Sequence, residues 1–154
     1  MNEATVDPAL VRLAKEAFNA TWDLLDLPEL SGEDARQALE RALGSRYLWE
    51  RSGAATDNER CIGDWLVGHV LCRIGQPAAA ASWAQACADR VAEHRWEDFR
   101  LASSIEGLAR VAAGLGDRAE FERLDAEARV ALRSLSAEDR AVIAGQLDSI
   151  PRPG

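Results

Sequence analysis

Paired stop and start signals punctuate this 154-residue chain at a nearly constant interval, leaving little room for anything but helices joined by tight turns. Gly75 followed by Pro77, and Gly116 followed by Asp117, each close one helix in a left-handed residue and open the next. Asp7 before Pro8 opens the first helix, about Pro8 to Asp26, because the aspartate accepts from free N–H groups while proline in the first turn loses no bond. Pro28 ends it. Ser31 with Asp34 forms a capping box that opens a second helix running to Gly53, Asp57 opens the third, and Ser136 with Asp139 opens a seventh. Gly44, Gly53, Gly75 and Gly116 read as left-handed helix caps rather than as a phosphate-binding loop. Alanine is the commonest residue and Val and Ile are scattered, so the expected class is all-α.

The interval is itself a repeat. An offset of 41 lays Gly75 on Gly116, Val67 on Leu108, Gly68 on Ala109 and Ile74 on Leu115. Upstream, an offset of 43 lays Trp22 on Trp65, Gly32 on Gly75 and Leu48 on Val91. Small residues meet small ones and large meet large. The expected architecture is three stacked antiparallel helix hairpins, about 8–52, 57–95 and 97–134, with a capping helix over 136–150 and a disordered tail over 151–154. Such hairpins cannot cover their own apolar faces, so they stack, and small residues at helix crossings let them approach. The whole of 1–154 forms one domain. At this length folding buries roughly 70% of the unfolded chain's surface, so a core forms without metal or disulfide staples.

Gly68, Leu71, Gly75, Ala80 and Cys87 fall at the small and aromatic positions of tetratricopeptide repeats, which the chain resembles most clearly over 60–95. The longer spacing, against about 34 residues in such repeats, implies longer second helices. Ser45-Arg46-Tyr47 with Trp49, Gly63 with Trp65, and Asp98-Phe99 with Glu106 also resemble a family of small bacterial helical proteins. These resemblances imply a right-handed helical stack and no particular chemistry.

In a stack of this kind the first helix of each pair lines the concave surface, and residues spaced i, i+3 or i+4 share that face. The candidate binding groove is Trp22 and Asp26 on helix one, Trp65, His69 and Cys72 on helix three, and Glu106 and Arg110 on helix five, with Arg46 as a polar wall paired to Asp64 or Glu106. Indole supplies broad apolar contact while Arg and Glu fix a polar group, the usual chemistry of recognition surfaces. The plainer reading is that the tryptophans, Trp49, Trp83 and Trp96 included, fill gaps between alanine-rich helices and that Glu106 with Arg110 is a surface ion pair.

The leading function is therefore a non-catalytic module that binds a protein or peptide partner; the alternative is a small-ligand sensor or enzyme with a Trp/His/Glu/Arg-lined pocket. A homodimer through Ala78–Ala88 is a third possibility. No cofactor and no metal are expected: His69 and Cys72 form at most a half-site, His94 is the other histidine, and CxxC and HExxH are absent. A net charge of −8 argues against nucleic acid and anionic membrane as partners. Cys61, Cys72 and Cys87 read as reduced thiols, and Met1–Leu10 lacks the basic and apolar regions of an export signal, which together suggest a cytoplasmic protein.

Overall fold

The computed structural model describes residues 5–154, so the reading of Met1–Leu10 lies partly outside the described residues. Seven α-helices follow one another: α1 (Pro8–Leu25), α2 (Gly32–Arg51), α3 (Asp57–Arg73), α4 (Pro77–His94), α5 (Phe99–Gly114), α6 (Arg118–Ala131) and α7 (Ala137–Asp148), with a single 3-10 turn, Leu132–Ser134, before α7. Among the described residues there is no strand, and no helix is long and apolar enough to cross a membrane.

The helix starts are local chemistry. Asp7 accepts from the N–H groups of Ala9 and Leu10, and Ser31 with Asp34 closes a reciprocal capping box. The third helix is capped by Thr56, which forms its own box with Glu59, so Asp57 is the first helical residue and not the cap. At the other ends Gly53, Gly75 and Gly116 adopt φ of 72°, 80° and 77°, the left-handed region that only glycine enters without strain. Gly44 corrects the expectation placed on it: it lies in the middle of α2, and the helix runs through it. α4 stops without glycine. Arg95 takes the left-handed position at φ 54°, a conformation that costs a side-chain-bearing residue about 1 kcal/mol and leaves no signal in the sequence.

Successive helices pair as α1 with α2, α3 with α4 and α5 with α6; α2 packs on α3, α4 on α5, and the inner helices α3 and α5 on each other. α3 is the axis of the stack. Gly63 to Leu71 are all buried, because neighbours surround the helix on every side. α4 lies directly against α3 at Gly68, where a Cβ would stand in ordinary van der Waals contact with the backbone of Ala80 and Ala84, at 3.6 and 3.5 Å. Those alanines are thereby engaged inside the chain. Leu66, Val67 and Val70 are fully buried, each worth about 1.5–3 kcal/mol of hydrophobic stabilisation. A second core gathers Ile105, Phe121 and Leu124 with Ile143, Leu147 and Ile150, and this is how α7 closes the stack. Residues 151–154 carry no regular structure.

Candidate functional site

The repeat offsets reappear as contacts. Trp22 and Trp65, 43 residues apart, stack with ring centroids at 5.7 Å; Trp65 and Glu106, 41 apart, share a hydrogen bond from indole Nε1 to Oε2 of 2.9 Å. Equivalent positions on successive inner helices are thus physical neighbours. His69, one turn beyond Trp65 on α3, completes an aromatic cluster, its ring 5.1 Å from Trp65 and 5.7 Å from Trp22. Gly107 makes room for this arrangement, because a Cβ there would stand 3.3 Å from Trp65 Cδ1.

Behind the rings lies a sealed ion pair. Glu106 is 0% and Arg110 3% exposed, so the expected surface pair is in fact interior. Arg110 Nε donates to Glu106 Oε1 at 2.8 Å, while its Nη2 donates to the Gln146 carbonyl at 2.8 Å and to Ser149 Oγ at 3.0 Å. The guanidinium thus adds a charged donor to the Gln146 carbonyl, which also accepts from Ser149 N and Oγ, and its charge complements the negative end of α7. Arg73 does the same for α1, donating to the carbonyls of Leu25 and Leu27. With both carboxylate oxygens engaged, Glu106 is an internal anchor and not a free base.

Burial and the charges of Arg110 and Arg73 hold the His69 pKa well below the usual histidine range, so its ring is neutral at neutral pH. Its Nδ1 is buried without a hydrogen-bond partner. Cys72 is half-buried and burial pushes its thiol up to about 11, which keeps it protonated and unsuited to attack. Asp26 is exposed and lines the same shallow depression as Trp22, His69, Arg73 and Gln146.

Arg46 does not join this group. It crosses the α2–α3 seam, where Nε donates to Asp64 Oδ1 at 2.9 Å and Nη1 to Glu50 at 2.7 Å; Asp64, not Glu106, is its partner. The stem of Arg46 lies over Gly63, at which a Cβ would approach Arg46 Cδ to 2.7 Å. The other Asp64 oxygen accepts from Arg90, and the network continues through Asp57, which lies 3.3 Å from Arg60 and 2.7 Å from His94.

What remains open beside Trp65 is a cavity of about 190 Å³ between α1, α3, α5 and α7, with α4 at its floor, lined largely by Phe18, Ile62, Trp65, Phe99 and Val142. Arg100, Asp139 and Gln146 add polar groups, and the exposed Phe99 and Val142 place its mouth at the surface. Phe18 and Ile62 were legible as extensions of the Trp22 and Trp65 stripes by one turn toward the amino end. The α7 residues carried no such signal, because a capping helix is not expected to form a wall of the inner face. Among the described residues no three His, Cys, Asp or Glu side chains are grouped to hold a metal ion. Compared with protein-family models, curated proteins and solved structures, the chain matches none.

Proposed function

We propose that this chain is a non-catalytic binding module of the tetratricopeptide-like kind, whose cleft receives an apolar side chain from a protein or peptide partner. The observation that carries the reading is the contrast between the cleft and the groups behind it. The walls are apolar and reach the surface, whereas Glu106 and Arg110 are already paired to each other, to Trp65 and to α7. A cavity of about 190 Å³ is of the size that takes one anchoring side chain. Asp139 and Gln146 would orient the partner's backbone at the mouth. The acidic balance of the chain disfavours nucleic acid, and its three free thiols favour a cytoplasmic setting.

The test is titration of tryptophan emission with short blocked peptides carrying one central Phe, Leu or Asp. The Phe and Leu peptides are expected to change the emission and the Asp peptide not. Val142→Glu, at a position 56% exposed, should weaken binding about tenfold with an unchanged melting curve. Apolar peptides without effect at millimolar concentration, or wild-type binding by Val142→Glu, would overturn the proposal. Trp65 and Arg110 are unsuitable sites for this test, since both carry interior hydrogen bonds.

A further inference from the structure

The floor of the same cavity contains two sulfur atoms that the binding reading does not use. Cys61 on α3 and Cys87 on α4 are each buried, both line the cavity, and their Sγ atoms stand 3.0 Å apart. Closing that gap to the disulfide bond length of about 2.05 Å asks for about 1 Å of movement. The third cysteine, Cys72, is outside this cluster. The two sulfurs are also electrically unlike. The hydrogen bond shared with Cys87 lowers the Cys61 thiol against the opposing effects of burial and of Asp64, and the charges of Arg90 and Arg100 help it. The same contact, with burial, pushes Cys87 far up, so Cys61, which lines the cavity beside Arg100, is the sulfur that gives up its proton more readily and is the nucleophile of the pair.

We propose that Cys61 and Cys87 form a two-electron redox pair that reduces a small hydroperoxide admitted through the apolar cleft and closes into a disulfide bridging α3 and α4. A hydroperoxide is the oxidant whose shape fits: the cavity has no room for the folded segment that would carry a partner disulfide to buried sulfurs. Cys61 Sγ attacks the outer oxygen of the hydroperoxide, and the O–O bond breaks. The departing alkoxide takes the proton released by Cys61 and leaves as an alcohol, while Cys61 becomes a sulfenic acid. Cys87 Sγ then attacks the Cys61 sulfur and the S–O bond breaks. The hydroxide leaves with the Cys87 proton as water. Two thiols and one hydroperoxide give one disulfide, one alcohol and one water.

The inference shares the cleft with the proposed binding function and does not rest on it, so peptide titration and thiol counting fail separately. The experiment exposes the reduced full chain to a slight excess of tert-butyl hydroperoxide, counts thiols after denaturation and maps cross-linked peptides. The expected result is a fall from three thiols to one with a Cys61–Cys87 cross-link, at a rate at least about tenfold above the oxidation of Cys72. Cys87→Ser should stop at a sulfenic acid on Cys61 that dimedone traps, Cys61→Ser should keep both remaining thiols, and Cys72→Ser should lose both of its own. Three thiols surviving in the wild-type chain would overturn the proposal. So would dimedone labelling of Cys72 ahead of Cys61. The wild-type cross-link map is independent of how the variants fold.

Discussion

Glu106 and Asp64 are both acids buried within an all-helical stack, and they are neutralised in opposite ways. Glu106 meets one arginine that is itself sealed, and the pair shares its remaining hydrogen-bonding capacity with Trp65 and the end of α7. Asp64 lies between Arg46 and Arg90, whose side chains keep 18% and 24% of their exposure, and these lead outward to Glu50, Asp57 and Arg60 at the surface. The first arrangement has nowhere to relax if a member is lost. The second grades into water, so its surviving charges can turn to other partners.

The sharpest way to break this contrast is Arg110→Ala. It leaves the Glu106 charge without its counter-ion in the interior and removes the bonds that tie α5 to Gln146 and Ser149, and it should lower the unfolding free energy by about 3–5 kcal/mol in urea denaturation. Amide exchange over α7 should rise in the same variant. The double change Glu106→Leu with Arg110→Met should recover most of the loss, because well-packed apolar residues replace a buried ion pair at little net cost. A single-variant loss below about 1 kcal/mol would mean that the two regions do not differ in the way described. At the seam, Asp64→Asn should cost only about 1–2 kcal/mol in the same assay, since Arg46 retains Glu50 and Arg90 retains Asp57.

Two pH measurements sharpen the comparison further. His69 has its folded pKa held below the ordinary 6.5 by burial and by two arginines, so as pH falls below 6.5 the unfolded chain takes up a proton that the folded chain refuses. Stability should therefore be full above 6.5 and decline below it, by up to about 1.4 kcal/mol for each pH unit until the folded group protonates. His69→Phe should flatten that decline in denaturation curves recorded from pH 7 to 5. Glu50 offers the smallest effect. Hydrogen bonds from Arg60, and then from Arg46, hold it down to about 2 from an ordinary 4.5, so its contribution is present above 4.5 and is lost as pH falls toward 2. Glu50→Gln should remove a shallow step in that acid window and leave the His69 window unchanged, because the Glu50 side chain is 45% exposed and well screened.

Much of the site was legible because helix periodicity and repeat offset together act as a contact map. Trp22, Trp65, His69, Glu106 and Arg110 were grouped by spacing along three inner helices, and the structure brings them into one cluster. The reading could not tell a lining from a core. Spacing places Arg110 on the inner face of α5, but only the presence of α7 against that face turns an exposed cation into a buried one. Arg46 shows the same limit in reverse: two acids were possible partners, and the choice of Asp64 depends on how α2 crosses Gly63.

What the sequence determined by itself is the set of local choices: the caps at Asp7, Ser31 and Ser136, the left-handed turns at Gly53, Gly75 and Gly116, and the repeated offset that makes hairpins stack. These depend on dihedral preference and on hydrogen bonds between near neighbours, which the identities of a few adjacent residues settle. The tertiary structure alone decided that α4 ends at a left-handed arginine, that α7 walls the inner face, and that Cys61 meets Cys87 across two helices. Those outcomes follow from which helical surfaces meet, a matter of shape and packing between segments far apart in the chain, where no single residue type announces its partner.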